Sequence, residues 1–147
     1  MNPALSKIEI IQMKKIEHIG IAVKNLEDSI PVFEQILNTN CYKTESVDSE
    51  QVNTAFFSSG PNKIELLEPQ SEESVIHKFI ETKGEGIHHI AFEVENIEKE
   101  MQRLVNAGFT LLNDKPKQGA DGKLVCFLHP KKTNGVLIEL VMDYKAK

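Results

Sequence analysis

The chain has 147 residues, of which 40% are apolar and 27% charged, the composition of an ordinary soluble globular protein. Its net charge of −5, with no stripe rich in Arg or Lys, argues against nucleic acid as a partner. Two isolated cysteines and the lack of an apolar run near about 20 residues exclude a disulfide framework and a spanning helix, so we expect a cytoplasmic protein with no membrane partner.

Residues 1–13 precede the first recognisable element, and we assign them no function. The segment IEHIGIAV (16–23) is rich in β-branched residues, which is typical of a strand. A helix is predicted over 26–38, with Pro31 near its first turn, where proline is tolerated. Its apolar stripe consists of Leu26, Ile30, Phe33 and Leu37.

The first strand and helix are followed by a predicted hairpin and a linker helix. Two apolar runs around a turn-rich break, TAFFSSGPNKIELLEP (54–69), predict the hairpin. The linker helix is predicted over 71–82, with Ser71 and Ser74 as candidate caps. The glycine-rich stretch KGEG (83–86) is then predicted to end this helix and link the two halves of the chain.

The second half of the chain repeats this order of elements. IHHIAFEV (87–94) is a predicted strand, and 97–107 is a predicted helix with Gly108 as its candidate C-cap. The segment VCFLHPKKTNGVLIELVM (125–142) predicts a second hairpin. The apolar stripe of the helix consists of Ile97, Met101, Leu104 and Val105.

The two halves read as copies of one module. EHIGIAVKNLE (17–27) and HHIAFEVENIE (88–98) share five of eleven positions without gaps, and His18 and His89 are among them. The motif IEL recurs in the two hairpins and contains Glu65 in the first and Glu139 in the second. Because unrelated histidines need not recur together with a glutamate at matching places, the repeat favours a shared site.

We therefore predict a single α+β domain over 1–147. The first copy of the module covers about 14–70, a linker helix about 71–85, and the second copy about 86–143. Each copy is expected to contain a strand, a helix and then further, mostly antiparallel strands.

Each of the repeated histidines shares a strand face with small residues. Because side chains alternate across a strand, His18 lies on one face with Gly20, and His89 lies on one face with Ala91. Large apolar residues occupy the opposite face, so the histidine face is suited to a ligand cavity. The same alternation places His88 on the face opposite to His89.

The glutamates of the two IEL motifs lie between large apolar residues, where an unpartnered carboxylate is costly. A strand histidine alone is most often a satisfied core or surface residue, and a strand glutamate usually lies on a solvated face. Two pairs at matching places instead indicate a divalent metal, and imidazole with carboxylate suits Zn, Mn, Fe, Co or Ni. His77 and His129 are not expected to be ligands, and Cys126 is expected in the core.

At these residues the sequence resembles the vicinal oxygen chelate superfamily and, within it, the methylmalonyl-CoA epimerase family. The motifs EHIGIAV, KIELLEP, GIHHIAFEVENIE and FLHPKKTNGVLIEL carry the resemblance, which extends from about residue 14 to about 143. It implies two tandem βαβββ modules whose mixed sheet curls around a metal-binding cleft. It also implies that the metal ligands are His18, Glu65, His89 and Glu139; some relatives have Gln at the position of Glu65.

The resemblance implies epimerisation of methylmalonyl-CoA at C2, through removal of a proton to give a metal-stabilised enolate. Glu139 matches the family residue that both binds the metal and moves the proton. The implied cofactor is a divalent ion, most often cobalt, with manganese, nickel, zinc or magnesium as alternatives. The implied partners are a CoA thioester substrate and a second copy of the chain in a homodimer.

One position departs from the family pattern. The second catalytic carboxylate of the family aligns with Thr54, which is a poor base, and either Glu50 or a water held by the metal could replace it. The CoA phosphates need cations, although surface lysines are usually only solvated. The densest basic stretch contains Lys115, Lys117, Lys123, Lys131 and Lys132.

Four alternatives to this function remain open for the same residues. A glyoxalase I, or lactoylglutathione lyase, shares the fold and the ligand set but acts on a glutathione hemithioacetal. A non-enzymatic small-molecule-binding protein of this fold would typically need no metal. An extradiol dioxygenase normally has a His-His-Glu iron site in a longer chain, and an interaction domain without a site is the remaining alternative.

Overall fold

The computed structural model describes residues 12–144. Residues 1–11, which belong to the segment without an assigned function, lie outside the described residues, as do 145–147. Among the described residues, no helix is long and apolar enough to cross a membrane.

The described residues form eight strands and three α-helices. The strands are β1 (Lys15–Ala22), β2 (Lys43–Val47), β3 (Val52–Ser59), β4 (Asn62–Pro69), β5 (Gly86–Glu93), β6 (Lys117–Gln118), β7 (Lys123–Leu128) and β8 (Ile138–Asp143). The α-helices are α1 (Leu26–Leu37), α2 (Val75–Lys83) and α3 (Ile97–Asn106). Short 3₁₀ turns cover Asp48–Glu50, Ala120–Gly122 and Pro130–Lys132. The α+β class is confirmed.

All eight strands belong to one mixed sheet with the order β2-β3-β4-β1-β5-β8-β7-β6. β1 is parallel to β4 and β5 is parallel to β8, whereas β1 and β5 are antiparallel and join the two copies at the centre. The sheet curls so far that its two edges approach each other. This is seen in the 2.9 Å distance between Lys43 Nζ on β2 and Asp121 Oδ1, which follows β6. The predicted curled mixed sheet is confirmed.

The helices cover the sheet with the predicted apolar stripes, except at Val105. Pro31 lies at the sixth residue of α1 rather than in its first turn, so the helix lacks one interior hydrogen bond. Val105 is 47% exposed, because only the other three members of the α3 stripe face the sheet. Ser74, not Ser71, caps α2 by accepting a hydrogen bond from the backbone N–H of Ile76.

The central pair of strands contains two matching β-bulges. Ile16 pairs with Phe92 and His18 with Ala91, so Glu17 is an extra residue in β1. Gly20 pairs with His89 and Ile21 with Ile87, so His88 is an extra residue in β5. An extra residue interrupts the alternation of side chains, and each bulge lies directly before a histidine of the predicted site.

Candidate metal centre and active-site cavity

The four predicted ligands lie on the four central strands of the sheet. His18 is on β1, Glu65 on β4, His89 on β5 and Glu139 on β8, and each residue is at most 6% exposed. The register repeats between the copies: Glu65 pairs with Gly20, and Glu139 pairs with Ala91, in each case two residues beyond the histidine of that copy. The parallel pairing within each copy therefore brings each glutamate beside its histidine.

Three of these side chains form a tight cluster. The Nε2 atoms of His18 and His89 are 3.0 Å apart, and Oε1 of Glu139 lies 3.0 Å from the first and 3.1 Å from the second. Oε1 of Glu65 lies 3.2 Å from Nε2 of His18 and 3.8 Å from that of His89. Glu65 is thus close to the cluster but outside the group of His18, His89 and Glu139, which could hold one ion.

The cluster has the charge and the donor atoms that suit a cation. Two carboxylates and two imidazoles are buried together, and imidazole with carboxylate is a common donor set for divalent transition metals. Oε1 of Glu139 lies near both Nε2 atoms, but these contacts lack hydrogen-bond geometry. This buried oxygen therefore has no hydrogen-bond partner among the described residues. Such an oxygen is costly unless a cation satisfies it.

The pKa shifts of Glu139 and His18 also indicate a site that favours a positive charge. Burial disfavours the charged forms, but attraction to His89 and contacts with His18 lower the pKa of Glu139 to about 2. Burial likewise opposes a charge on His18, yet the neighbouring Glu139, Glu17 and Glu65 raise its pKa to about 12. These carboxylates therefore favour the protonated form of His18, and a metal would compete with that proton.

Both bulge residues contact the Nδ1 atom of the histidine that follows. Glu17 Oε1 lies 2.8 Å from Nδ1 of His18, and His88 Nδ1 lies 2.9 Å from Nδ1 of His89. The prediction that His88 faces away from His89 was wrong, since the bulge turns both rings toward the same side. Glu17 was not predicted at all. The repeat offered one signal, because EH and HH occupy the same place in the two copies.

Gly20 allows the close approach of His89. A Cβ atom at position 20 would lie 2.2 Å from Cε1 of His89, so the imidazole occupies the space that any other side chain would need. The matching position opposite His18 is Ala91, which is fully buried and has its own Cβ. The small residues predicted beside the histidines are therefore required by packing in the first copy.

Glu17 is part of an ion-pair network that joins the two copies. Lys63 Nζ lies 2.9 Å from Glu17 Oε2 and 2.8 Å from Asp121 Oδ2. Burial opposes the charge on Glu17, but its contacts with His18 and Lys63 lower its pKa to about 2. This carboxylate is therefore ionised and acts only as a hydrogen-bond acceptor toward His18.

A cavity of about 230 Å³ adjoins the cluster. Its wall includes Glu65, His89 and Glu139. Thr54, which aligns with the second catalytic carboxylate of the family, and Glu50, its candidate replacement, also line the cavity. Thr54 is buried and its hydroxyl donates to the backbone oxygen of Glu45 at 3.1 Å.

The predicted basic stretch divides in the structure. Lys117 lines the cavity, and its Nζ lies 2.8 Å from Oε1 of Glu50, another lining residue. This ion pair joins the second copy to the first. Lys123 is paired with Asp143, and Lys132 donates to the backbone oxygen of Gly108. Among the five lysines, Lys117 is therefore the one that the structure places at the cavity.

The remaining histidines and the second cysteine lie elsewhere. His77 is on α2, where its Nε2 is 3.4 Å from Glu81, and His129 accepts a hydrogen bond from the backbone of Lys131. Cys126 is fully buried among apolar residues of the second copy, as predicted. Burial raises the pKa of its thiol to about 11, which disfavours a reactive thiolate.

Comparisons with known proteins identify the family of this chain. A model of the Glyoxalase/Bleomycin resistance protein/Dioxygenase superfamily matches residues 17–127. The chain is 41% identical over 128 residues to the Uncharacterized protein YqjC of Bacillus subtilis, covering 87% of this chain and 91% of the relative. It is 40% identical over 128 residues to the Ethylmalonyl-CoA/methylmalonyl-CoA epimerase of Cereibacter sphaeroides, covering 86% and 96% respectively.

A solved structure shows the same fold. A methylmalonyl-CoA epimerase variant of Streptomyces coelicolor, in complex with 2-nitronate-propionyl-CoA, superposes with a TM-score of 0.86. It is 31% identical in sequence, and the match covers 91% of this chain and 100% of that chain.

Proposed function

The chain belongs to the Glyoxalase/Bleomycin resistance protein/Dioxygenase superfamily and, within it, to the methylmalonyl-CoA epimerases, and from this premise we propose that it interconverts the C2 epimers of methylmalonyl-CoA. The observation that carries the proposal is the buried cluster of His18, His89 and Glu139 at the wall of the cavity. The epimerase relatives and the CoA-thioester complex of the Streptomyces enzyme support the substrate class.

We propose that His18, His89 and Glu139 hold a divalent metal, with Glu65 as the fourth ligand. When bound, such an ion supplies Lewis-acid stabilisation of the charge that develops on the substrate oxygens. The short distances between the three donors and the unpartnered Oε1 of Glu139 support this assignment.

Epimerisation requires a base on one face of C2 and an acid on the other. We propose that Glu139 moves the proton on one face. Thr54 cannot take the opposite role, because its hydroxyl is buried and donates to Glu45. Apart from the candidate ligands, Glu50 is the carboxylate that lines the cavity within residues 12–144, and we propose it as the second proton-transfer group.

The substrate carries a carboxylate and CoA phosphates, which need a cation near the entrance. Lys117 lines the cavity and its partner Glu50 is exchangeable, since both side chains are partly exposed. We propose that Lys117 contacts an anionic group of the substrate. This contact would free Glu50 from its ion pair when the substrate binds.

Hydrogen exchange at C2 tests the proposal directly. Methylmalonyl-CoA is incubated with the protein in D2O before chelation, after chelation and after reloading with a divalent metal, and mass spectrometry reports deuterium at C2. We expect exchange that disappears with the metal and returns on reloading. Absence of exchange while the metal is bound would contradict the epimerase function.

Assays on the same protein preparation distinguish two alternative functions from the epimerase. A glyoxalase I would convert methylglyoxal with glutathione and leave C2 of methylmalonyl-CoA unexchanged. A non-enzymatic binding protein would bind the thioester without exchange, whether or not metal is present. The epimerase relatives support an epimerase rather than a glyoxalase.

Several finer expectations from the resemblance remain predictions. They are cobalt as the native metal, a homodimer, a cytoplasmic location and a place in propionate metabolism. Metal analysis of the purified protein and its mass in solution test the first two.

A further inference from the structure

The bulge in β5 places an imidazole against a candidate metal ligand. His88 is the extra residue of this bulge, and its Nδ1 lies 2.9 Å from Nδ1 of His89. Successive residues of a regular strand point to opposite faces, so this contact exists only because the bulge interrupts the alternation. The rings of His88 and Phe79 of α2 pack in a T-shaped arrangement, with their centroids 4.9 Å apart.

The distance between the two Nδ1 atoms means that one nitrogen donates and the other accepts. If His88 donates, His89 must carry its proton on Nε2, which lies 3.1 Å from Glu139 and cannot then bind a cation. If His89 donates, its Nε2 lone pair is available at the cluster and His88 carries its own proton on Nε2. Only the second arrangement is compatible with His89 as a metal ligand.

We propose that His88 is a positioning residue, which accepts the Nδ1 proton of His89 and thereby directs the Nε2 lone pair of His89 at the metal site. This inference rests on the metal site of the proposed function. Glu17 makes the corresponding contact to His18 in the first copy, at 2.8 Å. A carboxylate can only accept, whereas an imidazole can accept or donate, so the tautomer of His89 depends on which way the His88–His89 hydrogen bond runs.

Three variants test the role of His88. His88→Leu keeps an apolar contact with Phe79 but removes the acceptor, and His88→Asn restores an acceptor near the same place. His77→Leu makes the same change at a partly exposed position of α2. Zinc affinity is measured by competition with a chelator, and the visible spectrum of the cobalt-loaded protein reports the ligand field. We expect His88→Leu to weaken zinc binding by about 10- to 100-fold and to shift the cobalt spectrum.

The other two variants sharpen this result. His88→Asn should recover most of the lost affinity, and His77→Leu should bind zinc like the wild type. Unchanged affinity in His88→Leu, or equal losses in His88→Leu and His88→Asn, would overturn the role of His88. A wild type that binds no zinc would overturn the metal centre itself, which distinguishes the failure of the proposed function from the failure of this inference.

A measurement on the wild type decides the matter if His88→Leu does not fold. Nitrogen-15 NMR of labelled histidines in the zinc-loaded protein identifies which nitrogen of each ring carries a proton. We expect His89 to be protonated at Nδ1 and His88 at Nε2. A His88 that carries its proton on Nδ1 in the zinc-loaded protein would contradict the inference.

Discussion

The two copies of the module place the same ligand types at the same register but support them differently. In the first copy, Glu17 lies against His18 and is itself held by Lys63, which pairs with Asp121. In the second copy, His88 lies against His89 and packs on the ring of Phe79. One histidine is therefore oriented by a charged network and the other by an imidazole that is uncharged, because burial lowers the pKa of His88 to about 4.

The glutamates of the two copies differ as well. Glu139 lies within 3.1 Å of both Nε2 atoms and has a buried oxygen without a hydrogen-bond partner among the described residues. Glu65 approaches one histidine at 3.2 Å and the other at 3.8 Å. A sequence repeat that supplies equivalent residues has thus produced a site in which the second copy provides the more tightly placed carboxylate.

The largest expected effect comes from replacing each of the two glutamates in turn and comparing the losses of activity. Glu139→Gln should lower C2 exchange at saturating metal by about 10²- to 10⁴-fold, because it removes a proton-transfer group. Glu65→Gln, the same change in the first copy, should cost less, since an amide oxygen can still contact the cation. Deuterium incorporation measured at several metal concentrations checks both, and equal losses would contradict unequal roles for the two glutamates.

The next effect concerns the support of His18. Glu17→Gln keeps a side chain of the same shape but can no longer offer a charged acceptor to Nδ1 of His18, so zinc affinity should fall by about 10- to 100-fold. Chelator competition measures the change. Glu93→Gln on β5, a partly exposed carboxylate paired with Lys14, is the matched control and should leave zinc affinity unaltered. A Glu17→Gln protein with wild-type affinity would show that the charge of Glu17 does not support the ligand.

A third change exploits the difference between Gly20 and Ala91. Gly20→Ala places a Cβ against the ring of His89, so we expect a loss of about 1–3 kcal/mol in the free energy of unfolding and weaker zinc binding. Ala91→Gly at the matching position should cost only about 0.5–1 kcal/mol and retain zinc. Denaturant titration and chelator competition measure the two quantities. Equal effects on zinc binding would mean that the ring of His89 does not need the space at Gly20.

The periodicity of the sequence predicted the two histidine strands, the two hairpins and the helices α1 and α3. It did not locate β2 or β6, and α2 begins at Val75 rather than at residue 71. The internal repeat predicted that the four candidate ligands lie together. Strand β1 and strand β5 lie where the β-branched runs indicated, and the IEL motifs pair beside them. Internal repetition made this possible, because two weak signals at matching places reinforce each other. The assignment of these side chains as metal ligands stays a prediction.

The supporting contacts of the site could not be read from the sequence. A bulge residue such as Glu17 or His88 shifts the phase of the period-two alternation, but only two residues of β1 and two of β5 precede it, too few to reveal the shift in the sequence. The link between Lys63 and Asp121 joins residues 58 positions apart, and it depends on how far the sheet curls. The prediction that Val105 belongs to the buried stripe of α3 was wrong. The buried face of this helix is narrower than the set of its apolar residues.

The smallest expected effect concerns the link between the copies. Asp121 is held between Lys43 and Lys63, its backbone N–H donates to Glu45, and Glu17 lies on the far side of Lys63. Burial opposes the charge, but the two lysines lower the pKa of Asp121 below its ordinary value. A carboxylate with a lowered pKa in the folded state stabilises the fold above its unfolded pKa, near 4, and loses this contribution as the pH falls further.

Asp121→Asn should therefore reduce the free energy of unfolding by up to about 1 kcal/mol per ion pair at neutral pH, and the deficit should shrink below about pH 4. Denaturant titration between pH 3 and pH 7, roughly the range that spans the unfolded pKa, measures the deficit. Asp114→Asn removes the same charge from a residue that has no ion pair among residues 12–144, and its effect should not vary with pH in this way. If Asp121→Asn and Asp114→Asn behave alike, the ion pairs of Asp121 do not stabilise the closure of the sheet. The charged support of the first copy would then depend on Lys63 alone.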